Sequence, residues 1–212
     1  MKTIITIGRQ TGSGGRLIGQ KLAEKLGIPF YDSNLLQRAA KESGFCEEIF
    51  EHHDEKPTKS FLYSLVMSGG LSFANSSYTD IPLDHKVFLA QFDTIRKIAD
   101  EGPCVIVGRC ADYALDGYAP YLSVFIFAPE EDRAKRMLER YDDLTLSKAH
   151  DQVAREDKQR SSYYNYYTNR NWGAAASYDL CLNSSVCGID GCVELISQTV
   201  ALKEAGIPET SE

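Results

Sequence analysis

Short runs of β-branched and aromatic residues alternate along this chain with longer amphipathic stretches. Residues 3–7, 104–107, 122–127 and 179–182 are each of strand length and nearly continuous in apolar character. That is the pattern of strands buried on both faces of a parallel sheet. A weaker fifth run, residues 29–31, follows Gly27, which reads as a helix-ending glycine. Between these runs the apolar period lengthens. Ile18, Leu22 and Leu26 share one helical face, as do Val87, Phe88, Phe92, Ile95 and Ile98 within residues 83–100. Residues 130–141 and 145–164 form charged helical patterns, and residues 191–205 carry Val193, Ile196, Val200 and Leu202. Strand and helix in this alternation predict an α/β domain in three layers, with a five-stranded parallel sheet at its centre. Such sheets bind ligands at the carboxyl ends of their strands.

No repeat or low-complexity linker interrupts the pattern, so residues 1–212 are expected to form a single domain. Residues 43–84 lack a clear strand and read as a helical arm leaving the sheet to cover a substrate. Composition narrows the classes. A hydrophobic fraction of 43% supports a real core, and a net charge of −7 argues against a general nucleic-acid surface. A local basic cleft remains compatible with that charge. No continuous apolar run approaches the roughly 20 residues of a membrane span, and the N-terminal run reads as a strand and not as a signal peptide. The six cysteines show no CxxC pair, which fits free thiols in a reducing, cytoplasmic compartment.

Candidate chemistry concentrates directly after the first strand. The segment GRQTGSGGR, residues 8–16, leads from a strand through a glycine-rich turn into an amphipathic helix. Backbone N–H groups there can converge on phosphate oxygens, and the helix dipole favours an anion. Thr11, Gly12, Ser13, Gly14, Gly15 and Arg16 are therefore the candidate phosphate-binding residues. The pattern departs from GxxxxGK(S/T). With Gly14 as the last motif glycine, Arg9 stands at the first glycine, Gly15 at the lysine and Arg16 at the Ser/Thr. Arg16 can supply charge one position on, but it cannot ligate a cation. Thr11 and Ser13 carry the hydroxyls left for that task.

Four segments in order, GSGGRLIGQKLAEKLGIPFYD, VIVGRCADYAL, NYYTNRNWGAAASYDLCLNSS and GIDGCVELI, resemble the cytidylate kinase-like family. The resemblance runs from the first strand to the last helix. It implies a P-loop fold of the nucleoside monophosphate kinase type, with a lid at residues 141–172. It also implies an ATP- and Mg²⁺-dependent kinase acting on a nucleoside monophosphate, CMP or dCMP leading, or on another small acceptor. On the matching positions, Asp32, Ser33, Arg38 and Arg109 would bind that acceptor. Arg155, Lys158 and Arg160 match the lid residues that close on the transferring group and, with Arg16, would be catalytic. Gln159, Ser162 and Phe127 stand where the family carries an acid, an arginine and an acid, which leaves the base undetermined.

Transfer of a phosphoryl group asks mainly for fixed positive charge and exclusion of water, and arginine's planar fork suits that role. The alternative on the same fold is a nucleotide-sensing module with little or no turnover, which the altered loop favours. No metal site is expected, since adjacent side chains in His52-His53-Asp54 diverge on a helix. Arg133 and Arg136 fit a surface helix nearly as well as a role beside the nucleotide. Tyr163, Tyr164, Tyr166, Tyr167 and Trp172 could pack the lid's base on the core or form a homodimer contact. Partners expected are a nucleotide and a small acceptor, not nucleic acid or membrane.

Overall fold

A computed structural model describes residues 2–44, 83–118, 120–141 and 143–206. Most of the expected arm at residues 43–84, including His52-His53-Asp54, lies outside the described residues. Five parallel strands form one sheet: β1 (Ile4–Arg9), β2 (Phe30–Tyr31), β3 (Val105–Val107), β4 (Tyr121–Phe127) and β5 (Leu180–Asn183). Their order, β2-β3-β1-β4-β5, places β1 at the centre, where successive connections leave to opposite sides. The switch-point crevice therefore opens at the end of β1.

Alternation along the strands sorts side chains to two faces. Ile5 and Ile7 of β1 face Ile18 and Leu22 of α1 (Gly15–Leu26) and Val193, Ile196 and Val200 of the last helix. On the opposite face Ile4 and Ile106 pack with Leu35 of α2 (Ser33–Ser43) and with Ile95 and Ile98 of α3 (Leu83–Glu101). The short α4 (Ala111–Ala114) follows β3 and adds Ala111 and Ala114 to that layer. The register also extends β1 two residues beyond the sequence expectation, since Gly8 and Arg9 stay paired with Phe125 and Ile126 of β4. A side chain at Gly8 would have blocked this, because its Cβ would lie 2.8 Å from the Phe125 ring.

After β4, α5 (Glu130–Arg140) and α6 (Leu146–Thr168) pack against each other through Ala134, Met137, Ala149 and Val153. Thr145 caps α6 by accepting a hydrogen bond from the Lys148 N–H, and Asn169 closes it in the left-handed conformation. The far end of α6 holds the aromatic run. Tyr163, Tyr164 and Tyr167 pack with Phe88, Phe125, Tyr178 and Trp172 in the core, while Tyr166 stays exposed. Phe88 stacks on Tyr167 with centroids 3.9 Å apart.

The last helix, α7 (Ser184–Ala205), starts seven residues before the expected position. Asn183 caps it, and Gly188 breaks the helical dihedrals, so apolar periodicity registers only beyond the kink. Its length and a mean hydropathy of 1.2 match those of a membrane span, although Cys192, Val193, Ile196 and Val200 are buried against the sheet and α1. At the opposite end of the chain, Glu204 accepts hydrogen bonds from the N–H groups of Lys2 and Thr3, tying α7 to the start of β1.

Phe125 links sheet and aromatic cluster. It is 2% exposed, meets Trp172 edge-on at 5.2 Å and lies 4.9 Å from the Tyr178 ring. Phe125→Ala should lower the free energy of unfolding by about 3–5 kcal/mol. Urea titration measures this, and a loss below about 1 kcal/mol would show that the cluster collapses to fill the void.

Candidate active site

The chain leaves β1 at Arg9, turns through Gln10–Gly14 and enters α1 at Gly15. Gly12 (φ 74°) and Gly14 (φ 80°) supply the left-handed dihedrals that this reversal requires. Gln10 pins the start of the turn: its N–H donates to Ile126 O, and its Oε1 accepts from Ala128 N–H. Ser13 is fully buried, with its hydroxyl donating to Gln10 O at 2.8 Å.

The outer side of the turn is gripped by two arginines from α5. Arg133 Nη1 donates to Thr11 O at 3.0 Å, and its Nε donates to Ala128 O at 2.9 Å. Arg136 Nη1 reaches Ser13 O, Gly12 O and the Ser184 hydroxyl, while Ser184 Oγ donates to Ser13 O at 2.6 Å. The carbonyls of Thr11, Gly12 and Ser13 thus all have donors on one side. The α6 carboxylates approach the same turn. Asp157 Oδ1 accepts from Thr11 N–H at 2.7 Å, and Oδ2 accepts from Arg133 at 2.5 Å. Thr11 Oγ1 donates to Glu156 and accepts from Arg160 Nη1 at 2.8 Å.

Beside the turn lies a narrow cleft bordered by Gly8, Arg9, Arg109, Asp112, Arg160 and Tyr164. Arg109 reaches it from an unusual backbone. Gly108, Arg109 and Cys110 follow β3 with φ of 78°, 55° and 54°. Two non-glycine residues in the left-handed region carry strain of about 1–3 kcal/mol each, a cost met mainly at functional sites. The Arg109 side chain is 3% exposed, donates to Val107 O and lies 3.5 Å from Asp32 Oδ1. Arg16 Nε donates to the other Asp32 oxygen at 2.5 Å. Burial alone would raise the Asp32 carboxyl. The Arg16 hydrogen bond and the charges of Arg109, Arg9 and Arg16 outweigh it and hold the group below the ordinary carboxylate range.

Asp112 is the reverse case. It is 7% exposed, and burial raises its pKa despite a 2.6 Å hydrogen bond from Tyr164 OH and the charge of Arg170.

Of the expected site residues, Arg16 and Arg109 meet at Asp32, Arg160 meets Thr11 of the Thr11–Gly15 turn, and Arg109 and Arg160 border the cleft. Arg38 is engaged elsewhere, by Glu42 at 2.7 Å and by both oxygens of Glu101. Arg155 and Lys158 are exposed on α6, and the side chain of Ser33 lies outside the described residues. Of the loop amides expected to face phosphate, Ser13 N–H donates to Gln10 O and Gly15 N–H to Ser13 Oγ at 3.4 Å. Sequence reasoning missed Asp112, Glu156, Asp157 and Ser184, and left Arg133 and Arg136 undecided. A signal for that pair was present: arginines at i and i+3 share one helical face directly after β4.

For a metal the described residues fit poorly. Thr11 and Ser13 hydroxyls are both committed, Asp32 is held by two arginines, and no group of three metal-ligating side chains occurs among the described residues. For phosphate they fit better: a glycine turn leads into a helix N-terminus, and Arg9, Arg109 and Arg160 border the cleft beside it.

The cytidylate kinase-like family matches residues 4–186. Cytidylate kinase of Methanococcus aeolicus is 26% identical over 204 residues, spanning 94% of this chain and 98% of that one. An uncharacterized protein from Eubacterium ventriosum superposes with a TM-score of 0.70 at 28% identity, covering 94% and 99% of the two chains. Shikimate kinase from Bacteroides thetaiotaomicron, at 13% identity and TM-score 0.55 over 95% and 100%, shares the fold. The chain belongs to the cytidylate kinase-like family, and its sheet and surrounding helices form a P-loop kinase fold.

Arg133→Ala should destabilise the chain by about 3 kcal/mol, because it removes a buried guanidinium that pairs the half-buried Asp157 carboxylate and two carbonyls. Thermal unfolding reads this, and Arg133→Lys should recover little, lacking the fork. Asp112 gives a pH test. Its raised folded pKa means that it favours the folded state when protonated, and that this contribution fades as pH rises above the ordinary value of 3.8. The stability of Asp112→Asn relative to the parent should therefore grow with pH in denaturation series, and a flat difference would refute the assignment.

Proposed function

We propose that this cytidylate kinase-like protein transfers the γ-phosphoryl group of ATP to a nucleoside monophosphate, with CMP or dCMP first among acceptors. The observation that carries the reading is Arg109, a buried guanidinium held in strained backbone beside the glycine turn and aimed at Asp32. ATP would supply the phosphoryl group, and magnesium would be held through its phosphates, not by protein ligands. The turn and the α1 N-terminus hold the donor phosphates, with Arg16 adding charge at the rim. Asp32 stays ionised and orients Arg16 and Arg109 toward the acceptor. Arg160, with Arg155 and Lys158 on the same helix, meets the charge that develops during transfer, and α6 excludes water. Arg38 and Ser33 sit on the acceptor side of this proposal, Arg38 after exchanging its carboxylate partners for phosphate.

A second reading, a nucleotide-sensing module without turnover, is favoured by one observation. The N–H groups of Thr11, Ser13 and Gly15 already have acceptors within the protein. Thermal stabilisation by nucleotide with and without Mg²⁺ separates the two, since a sensor responds without the cation and produces no ADP.

The deciding assay is ADP formation from ATP and Mg²⁺ against a panel of nucleoside monophosphates. Acceptor-dependent turnover is expected, with kcat/KM falling about 10²–10³-fold in Arg109→Ala and falling also in Arg16→Ala. Protein that binds ATP yet forms no ADP with any acceptor would sink nucleotide kinase activity.

A further inference from the structure

The lysine position of the loop is empty of any side chain for a steric reason, and the reason names a substitute. A Cβ built on Gly15 would lie 2.5 Å from Arg9 Cβ, 3.2 Å from Arg9 Cγ and 3.3 Å from Ile126 Cβ. Arg9 Cβ is the first atom of its side chain and cannot swing away without moving β1, which is paired with β4 at that residue. Positions 9 and 15 therefore face each other across the turn, and only one can carry a side chain. In GxxxxGK(S/T) the first motif position is bare and the seventh carries lysine. Here the first carries arginine and the seventh is bare.

Strand alternation sets where that arginine goes. Ile5, Ile7 and Arg9 share the face of β1 turned toward α1, and the two isoleucines pack with Ile18 and Leu22 of that helix. Arg9 is the next step along the same face, past the end of the hydrophobic layer, at the level of the α1 N-terminus. Its charge is felt by Asp32, and the residue borders the cleft together with Arg109 and Arg160.

We infer that Arg9 is the phosphate-binding cation of this loop, doing from the first motif position what lysine does from the seventh. The inference rests on the proposed nucleotide site and adds the group that contacts the donor's terminal phosphates. Guanidinium brings two parallel donors where an ammonium brings a point charge. The exchange is reciprocal: a side chain gained at position 9 requires glycine at position 15.

Reciprocity supplies the test, read as binding of ATP and of inorganic tripolyphosphate by calorimetry, with thermal unfolding of every variant. Arg9→Gln should weaken both ligands about 10- to 100-fold, the worth of a charge-assisted hydrogen bond, and Arg9→Lys should keep most of the affinity. Gly15→Lys alone should lower the melting temperature through the 2.5 Å clash. The double variant R9G/G15K, which restores the common arrangement, should recover both melting temperature and ligand affinity. Equal binding by the parent and Arg9→Gln would overturn the Arg9 assignment while leaving the nucleotide site intact. So would a folded R9G/G15K that binds no better than Arg9→Gly. A parent chain that binds neither ligand would overturn both readings.

Discussion

The structure depends on carbonyl groups being held on one side of a turn. Between β1 and α1 the oxygens of Thr11, Gly12 and Ser13 are taken by Arg133, Arg136 and Ser184. A peptide plane whose oxygen is fixed outward must present its N–H inward. The two α5 arginines, with Ser184, therefore fix which way the peptide planes of the glycine turn face. Because α5 follows β4 and Ser184 follows β5, the turn is braced by the two strands next in the sheet.

Charge around the crevice is organised by the same economy. Arg16 and Arg109 converge on Asp32, Arg133 meets Asp157, and Arg160 lies by Glu156 and Thr11. A protein of net charge −7 can thus concentrate arginine at one point without a free field of positive potential. The strained run at Gly108–Cys110 fits this picture, since it delivers Arg109 from the end of β3 to the same carboxylate that Arg16 reaches from α1.

Much of this frame was readable in the residues. Apolar runs located β1, β3 and β4 most plainly because these central strands are largely buried, while the half-buried edge strand β2 gave a weaker run, and the glycines of GSGG marked the turn. What was not readable came from contacts between distant segments. Arg133 looks like one more charge on a surface helix until α6 folds over it. The reach of β1 to Arg9 depended on Gly8 lying against Phe125, a pairing of segments more than a hundred residues apart. The start of α7 was hidden by the kink at Gly188, which breaks the period on which helix recognition relies. The missing lysine was visible as a departure, while its cause, the facing of positions 9 and 15, exists only in three dimensions.

The pairing of Asp157 with Thr11 N–H has a further meaning. An anion entering the turn meets a carboxylate already seated at its rim, so binding there is a trade of one negative group for another. Such a trade changes local charge little until Asp157 has moved, and Asp157 belongs to a helix of 23 residues. Occupancy of a few atoms at the end of β1 is thereby tied to the position of a rod some 34 Å long, at about 1.5 Å of rise per residue. Since Ala149 and Val153 pack one half of α6 on α5, and Tyr163 and Tyr164 pack the other half into the aromatic core, a single carboxylate joins the rim of the turn to two separate clusters.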